Sequence, residues 1–280
     1  MTRPWRRDPR LLVPLSLTAV LLAVAAAAPL VIPGQATAGS LRERLLDPGS
    51  PGHLLGTDAQ GRDLLGRLLL GAGPSLVGGL LPVLTATVAG TVLGTVAGLG
   101  GRVAAQLLLR ALDVLYAFPG VLLAIAVCSL FRPGLAATVL ALSVVLTPAV
   151  ARVVFAEVRR VRTSEHLQAA RVSGAGWLAV GALEVLPVIG PVVLAYASSL
   201  VGLAVVYAAG LSFLGLGVAP PAPEWGAMVD ELRPALFTHP LPALVPAVTV
   251  LAVSVLFNVL GETLRRRIAT ADAPARVVRR

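Results

Sequence analysis

Residues 152–187 read RVVFAEVRRVRTSEHLQAARVSGAGWLAVGALEVLP and form a polar segment between two long apolar runs. Within it, residues 165–173 are rich in helix-favouring side chains. They follow Thr163 and Ser164, whose side chains can accept hydrogen bonds from free amides at a helix start. Gly174 should end this helix, because glycine tolerates the left-handed conformation common at helix ends. We therefore predict a short helix within a polar loop.

This predicted helix carries small side chains at Ala169 and Ala170. Small residues let another protein approach closely, so the helix suits insertion into a groove of a partner. The alternative is an ordinary amphipathic loop on the cytosolic side of a membrane.

The composition is that of a membrane protein. Hydrophobic residues make up 56% of the chain and charged residues 13%, and the mean hydropathy is +0.86. A soluble domain carries about 25% charged residues, so the chain is too apolar for that class. The single cysteine, Cys128, lies in an apolar run and cannot form a disulfide within the chain.

The first apolar run, residues 11–33, follows a basic segment at residues 1–10. It is long enough to cross a hydrocarbon core, which needs about 20 residues. The alternative is a signal peptide cleaved after Ala36, Thr37 and Ala38, but a signal core is shorter, at roughly 7 to 15 residues. We favour a retained transmembrane helix.

Five further apolar runs follow, at residues 76–99, 114–130, 135–154, 188–211 and 241–260. Arginine is enriched in the cytoplasmic flanks of transmembrane helices. With both termini and residues 101–113 and 152–187 inside, 17 of the 23 arginines are cytoplasmic. Anionic lipid headgroups account for this basic balance without a nucleic-acid partner.

The predicted fold is therefore an all-α polytopic membrane protein with six transmembrane helices and both termini in the cytoplasm. Its predicted parts are a cytoplasmic N-terminus (1–10), a first transmembrane helix (11–33), an external loop with an amphipathic helix (34–75), a five-helix core (76–267) that contains the cytoplasmic loop (152–187), and a basic cytoplasmic tail (268–280).

The third run is preceded by two charged residues, Arg110 and Asp113. A charge at the centre of a bilayer costs about 3 kcal/mol. These residues therefore either lie within the membrane for a functional reason or belong to a cytosolic extension of the helix over residues 102–113. We favour the extension, with a kink at Pro119 just above it.

The external loop contains a helix-start pattern, Thr57 followed three residues later by Gln60. This capping-box spacing predicts a helix that begins at about Asp58. Leucines should give the helix an apolar side that lies along the membrane surface or the bundle; they are Leu64, Leu65, Leu68 and Leu69.

Two acid-base pairs occur at helical spacing in the same segment, Asp58 with Arg62 and Asp63 with Arg67. Pairs spaced four residues apart on a helix stabilise it by a few tenths of a kcal/mol, so we expect both to form. The alternative is a metal or acid-base site built from His53, Asp58 and Asp63. We disfavour it because each aspartate already has an arginine at pairing distance.

The second apolar run has small residues at every fourth position, Ala86, Gly90, Gly94 and Gly98. These positions share one helix face, and small residues let two helices pack closely in lipid. We therefore predict a helix-packing face here.

Between the fifth and sixth runs, Pro220, Pro221 and Pro223 predict an extended, non-helical segment. Trp225 follows, and tryptophan is typical of the membrane-water interface. A re-entrant or surface loop on the external side is expected.

Three segments carry a family resemblance. Gln168, Ala169, Ala170, Gly174, Leu186 and Pro187 resemble the cytoplasmic EAA loop of ABC importer permeases. The sequence LGTDAQGRDLLGR resembles a signature of the dipeptide, oligopeptide and nickel importer permeases, as does LSFLGLGVAPPAPEWG. The matching residues are Gly56, Thr57, Asp58, Gly61, Arg62, Asp63 and Arg67 in the first, and Phe213, Leu214, Gly215, Gly217, Pro220, Pro221, Pro223, Trp225 and Gly226 in the second.

The resemblance implies a type I permease subunit of an ATP-driven importer of peptides or a related small solute, with nickel as another cargo of such systems. The implied partners are a second homologous permease, two ATPase subunits and an extracytoplasmic substrate-binding protein. ATP and magnesium are expected on the ATPases and no cofactor on this chain, which has no lysine and hence no phosphate-binding Gly-Lys-Ser or Gly-Lys-Thr motif. The chain itself is expected to be no enzyme.

The family pattern also implies a mechanical role, in which the helix that contains Glu165 transmits motion from the ATPase to the transmembrane helices. Two positions depart from the pattern, since Gln168 stands for glutamate and Glu184 for isoleucine. These departures bear on which ATPase the loop fits. The alternatives from other classes are a stand-alone channel or secondary transporter, and an intramembrane hydrolase.

Overall fold

The computed structural model describes residues 9–32 and 38–277, and this part of the chain is almost entirely helical without any β-strand. The predicted cleavage site at residues 36–38 falls largely outside the described residues. The helices are α1 (Pro9–Val31), α2 (Leu64–Leu99), α3 (Arg102–Ala117), α4 (Gly120–Cys128), α5 (Leu135–Val161), α6 (Glu165–Val172), α7 (Trp177–Ala179), α8 (Leu186–Phe213), α9 (Trp225–Leu232) and α10 (Pro240–Val277).

Five helical segments of the described chain are long and apolar enough to cross a membrane. They confirm five of the six predicted spans, although most extend beyond the predicted limits. The fourth of these segments, which corresponds to the predicted fifth span, consists of α7, a π-helical turn, Val180–Val185, and α8. The segments are Pro9–Val31, Leu64–Leu99, Leu135–Val161, Trp177–Phe213 and Pro240–Ile268.

The third predicted span is broken. Helices α3 and α4 meet at 90°, so the prediction of one continuous helix over residues 114–130 is wrong. Phe118 adopts an extended conformation before Pro119 because the proline ring disfavours the helical conformation of the preceding residue. Helix α4 has 9 residues, which is too short to cross a bilayer alone. The expected kink at Pro119 is instead a right-angle break.

The helix predicted to begin at Asp58 does not form. Helix α2 begins at Leu64, and the carboxylate of Asp63 accepts a hydrogen bond from the Gly66 amide at 2.7 Å as its N-cap. The four leucines expected on an amphipathic surface helix are instead the first turns of α2, which runs unbroken for 36 residues. Leu64 is fully buried. The external helix and the second span are therefore one element.

The predicted small-residue face of α2 packs against α5. A Cβ added to Gly94 would lie 2.6 Å from the Ala151 carbonyl oxygen and 2.7 Å from Val154 Cβ. Gly90 and Gly98 are equally close to valines of α5. This face is confirmed as the place where the two helices make their closest contact.

Candidate functional site

The short helix predicted in the polar loop is present as α6, and Gly174 follows it with a φ of +85°. The Ala175 amide donates to the Ala170 carbonyl at 3.1 Å, which closes the helix end. An added Cβ on Gly174 would meet nothing within 4 Å, so this position needs glycine for its backbone conformation alone. The predicted helix and its glycine stop are both confirmed.

The start of α6 differs from the prediction. The Ser164 hydroxyl is buried and has no hydrogen-bond partner among the described residues. The contacts at the helix start go to backbone carbonyls. The backbone N–H of Gln168 donates to the Ser164 carbonyl at 3.2 Å, and the side-chain Nε2 of Gln168 donates to the Thr163 carbonyl at 3.1 Å. Glutamine at this position can donate where glutamate, when ionised, only accepts. This contact gives the departure from the family pattern a local structural role.

Helix α6 is anchored by one side chain that the sequence analysis did not single out. Leu167 is fully buried and belongs to the same hydrophobic cluster as Val158 and Val161 of α5 and Val180 and Val185 of the π-helical turn. Glu165, His166, Gln168 and Ala169 are exposed. Among the side chains of α6 that the structure describes, Leu167 is the fully buried one, and the four exposed residues form a free face.

A second link joins this loop to α2. The Arg162 guanidinium donates to the carbonyl oxygen of Gly98 at 3.3 Å, at the C-terminal end of α2. Positive charge is favourable there because the last carbonyls of a helix carry partial negative charge. Arg162, which follows the last residue of α5, therefore links the ends of α5 and α2 just before α6 begins.

Large apolar side chains are exposed beside α6. Val172 is 90% exposed, Trp177 61% and Leu178 66%. Leu186 and Pro187, the end of the predicted motif, are also exposed and begin α8. Exposed residues of the polar loop therefore lie both on α6 and after it, interrupted by the buried Val180, Gly181 and Val185.

A buried ionic network lies at the other end of the bundle. The Asp58 carboxylate accepts from the Arg62 side chain at 2.6 Å and also from Arg67. Glu231 of α9 accepts from the same two guanidiniums, at 2.8 and 2.6 Å. The predicted pair of Asp58 with Arg62 is confirmed, although it lies in a turn rather than on a helix. The sequence analysis did not identify Glu231 as a partner, because it lies more than 160 residues further along the chain than Arg62 and Arg67.

The predicted pair of Asp63 with Arg67 is wrong. Asp63 caps α2 and lies 3.0 Å from His53 Nδ1, whereas Arg67 turns towards Asp58. The alternative metal site from His53, Asp58 and Asp63 is not assembled, because Asp58 is held by two arginines. Within residues 9–32 and 38–277, no three His, Cys, Asp or Glu side chains are arranged to hold a metal ion.

The rest of the first signature shapes the external loop. Thr57 is fully buried, and its hydroxyl accepts from the Leu46 amide at 2.9 Å rather than capping a helix. Gly56 and Gly61 both have positive φ, and an added Cβ on Gly61 would lie 1.9 Å from the Ser40 carbonyl oxygen. Thr57 and the two glycines therefore allow the chain to fold back on itself over residues 38–63.

The second signature leads into a buried helix. Chain segment 214–224 is non-helical, as the prolines predict, and α9 follows. Trp225 is 1% exposed, and its indole nitrogen donates to the Leu68 carbonyl at 2.9 Å. Trp225 therefore packs inside the bundle and does not face lipid or water. An added Cβ on Gly226 would lie 2.2 Å from the Ala209 carbonyl, so only glycine lets α9 approach α8.

Glu224 is the N-cap of α9 and was not identified from the sequence. It is 3% exposed and accepts from the amides of Gly226 and Ala227 at 3.0 Å and from the Ser75 hydroxyl at 2.9 Å. Ser75 in turn accepts from the Trp225 amide. The acidic residue directly after the last loop proline, Pro223, was the available signal. The prediction treated α9 as part of a loop, so the cap was missed.

Residues 90–270, which include α6 and α9, match the family model described as the binding-protein-dependent transport system inner membrane component. The chain belongs to this family. It is therefore a permease subunit of an ABC importer and a multi-pass protein of the plasma membrane, and it is not itself an enzyme.

Curated relatives agree over most of the chain. The permease is 38% identical over 223 residues to the glutathione transport system permease protein GsiD of Pectobacterium atrosepticum, covering 80% of this chain and 74% of that protein. It is 39% identical over 224 residues to the di/tripeptide transport system permease protein DppC of Pseudomonas aeruginosa, covering 79% and 73%.

The fold also has a solved counterpart. A chain in a structure of the MetNI methionine ABC transporter, in inward-facing conformations, superimposes with a TM-score of 0.62. The match covers 73% of this permease and 97% of that chain at 17% identity. This likeness supports the predicted all-α fold of a type I importer permease.

Proposed function

We propose that this permease imports small peptides and that an ATPase subunit binds α6 to drive the transport. The observation that supports this most directly is the construction of α6. It is a two-turn helix with a free face and a single buried anchor, Leu167. A helix attached in this way can be pushed by a partner without unfolding the bundle.

The coupling follows from the contacts of the anchor. Leu167 lies among valines of α5 and of the π-helical turn that continues into α8, and Arg162 binds the end of α2. Movement of α6 therefore reaches three membrane helices through packed side chains and one charged contact. Packed helices shift as rigid bodies, and such shifts change which side of the membrane the pathway faces.

The proposed assembly contains a second homologous permease, two ATPase subunits and an extracytoplasmic binding protein. ATP and magnesium bind to the ATPase subunits in this proposal. The five continuous spans and one broken span of the described residues form part of the pathway in this proposal, and the second permease completes it.

The proposed cargo is a small peptide, because the curated relatives are permeases of glutathione and of di- and tripeptides. Nickel is the competing cargo. The experiment uses the purified importer in proteoliposomes. It compares uptake of radiolabelled trialanine and glutathione with uptake of radioactive nickel, and so distinguishes a peptide cargo from nickel.

Docking of the ATPase is tested by Ala169→Trp. The side chain is exposed, so a large residue should leave the fold intact but block close approach of the ATPase. We expect the ATPase recovered with tagged permease to fall about tenfold or more, as for a central residue of an interface.

The matched control is Ala222→Trp, another exposed alanine in the loop before α9. This variant should retain the ATPase. Equal recovery with both variants would contradict the docking role of α6. Absence of an ATPase from the unsubstituted permease would favour the stand-alone channel or secondary transporter.

A further inference from the structure

A cavity of about 250 Å³ opens where α3 breaks into α4. All three tyrosines of the chain, Tyr116, Tyr196 and Tyr207, line it. They come from α3 and α8, and apolar residues of α4 and α5 complete the wall, among them Leu123 and Val145. The break at Pro119 therefore creates a space that a continuous third span would fill.

The tyrosines extend along the depth of the membrane. Tyr196 and Tyr207 are eleven residues apart on α8, which corresponds to about 16 Å along the helix. Gly120, the first residue of α4, allows the ring of Tyr207 to lie close, since an added Cβ would be 3.4 Å from Tyr207 Cε2. None of the three hydroxyls has a hydrogen-bond partner within residues 9–32 and 38–277. They are therefore available to a ligand.

Opposite charges lie beside the cavity. The Arg152 guanidinium is 4.2 Å from the centre of the Tyr116 ring, and its Nη2 is 2.5 Å from Asp113 Oδ1. Both charged side chains keep substantial exposure, 40% for Arg152 and 54% for Asp113. Charged side chains on membrane helices face the bundle interior or a water-filled path rather than lipid. The cavity thus combines three tyrosines with an apolar wall, and the ion pair of Arg152 and Asp113 lies at its edge, against the Tyr116 ring.

We propose that this tyrosine cavity binds the transported peptide as it passes through the permease. The inference rests on the proposed import of small peptides. Arg152 binds the terminal carboxylate, which takes the place of Asp113 on the guanidinium, because a guanidinium matches the geometry of a carboxylate. The tyrosine hydroxyls bond to the peptide amides, and the apolar wall contacts the side chains. Tyrosine suits this task because its ring is apolar and its hydroxyl can both donate and accept.

The occupant is identified by photocrosslinking in the complete importer. A benzophenone amino acid replaces Tyr207, and the importer transports radiolabelled trialanine in proteoliposomes during illumination. The matched control carries the same amino acid at Val88, which is exposed on α2. We expect radiolabel on the permease only with the probe at residue 207. Crosslinks from residue 207 to phospholipid, or to the second permease alone, would overturn the proposal.

A second measurement uses conservative variants. Tyr196→Phe removes only a hydroxyl and should raise the KM for trialanine about fivefold, the effect of losing one hydrogen bond between neutral groups. Arg152→Gln should weaken uptake of trialanine more than uptake of its C-terminal amide, because only the former has the carboxylate. Thr249→Val removes a hydroxyl bonded within α10 and should not alter the KM.

These results separate the site from the proposed function. Trialanine uptake by the unsubstituted importer is measured first, and its absence counts against peptide import itself. If uptake is normal but Tyr196→Phe and Arg152→Gln leave the KM and the preference for the free carboxylate unchanged, the cavity is not the peptide site.

Discussion

Individual glycines of this permease are needed for two different physical reasons. Gly94 lies in a regular helix and provides space, because an added Cβ would meet the backbone of α5. Gly174 has open space around it and provides a left-handed backbone conformation. The sequence predicted both uses from the surrounding pattern, a small residue at every fourth position in one case and the end of a helix-favouring stretch in the other.

The requirement at Gly174 can be tested by Gly174→Ala. Alanine in the left-handed conformation costs about 1–2 kcal/mol, which should fray the end of α6. The Ala175 amide, which bonds to Ala170, should then exchange its hydrogen about tenfold faster. Hydrogen exchange detected by mass spectrometry measures the exchange rate at the end of α6.

Gly176→Ala is the matched control, since Gly176 also has nothing within 4 Å but has a φ of −63°. Its exchange should equal that of the unsubstituted permease. Equal exchange in both variants would show that the positive φ of Gly174 is not what ends α6.

Among the secondary-structure elements, the length and type of most helices could be predicted from the sequence. The geometry of the third predicted span could not. Pro119 predicted only a kink, and Arg110 and Asp113 predicted a cytosolic extension of the same helix. The angle of 90° depends on packing of α4 against α5 and α8, which no local pattern records. The start of α2 was misplaced for a related reason. Thr57 has the spacing of a helix cap, but its hydroxyl is bonded within the external loop.

The packing of α2 against α5 makes a prediction for Gly94→Ala. The added methyl would lie 2.6 Å from the Ala151 carbonyl, and the backbone there cannot move aside as a side chain can. We expect a loss of about 1–3 kcal/mol in the free energy of unfolding, which is typical of overpacking. Chemical unfolding of the purified permease in detergent measures it.

Gly210→Ala serves as control because Gly210 lies inside α8 with nothing within 4 Å of an added Cβ. Alanine there should be neutral or stabilising by up to about 1 kcal/mol, since it favours a helix over glycine. If the Gly94 variant were as stable as this control, α2 and α5 would be able to move apart without a loss in the free energy of unfolding.

For the molecule as a whole, the external loop is joined to the bundle by charges from distant parts of the sequence. Arg67 is 1% exposed, and two of its guanidinium nitrogens have no hydrogen-bond partner within the described residues. Its charge is therefore balanced by Asp58 and Glu231 alone. Removal of either carboxylate leaves a buried positive charge partly uncompensated.

We therefore expect Glu231→Gln to destabilise the permease by about 3–5 kcal/mol, the usual effect of breaking a buried ion pair. The neighbouring Asp230→Asn removes an exposed partner of Arg233, 3.5 Å away, and should change stability by less than about 1 kcal/mol. Thermal unfolding in detergent compares the two. A similar midpoint for both would contradict the structural role of the network.

The sequence by itself determined the membrane class, five of the spans, the short helix after Ser164 and the small-residue face of α2. These features follow from local composition and from the periods of a helix, so neighbouring residues suffice to show them. Only the tertiary structure decided the break between α3 and α4, the burial of Trp225, the partners of Arg67 and the meeting of three tyrosines at one cavity. Each of these joins residues far apart in the chain, and their contacts depend on how whole helices pack.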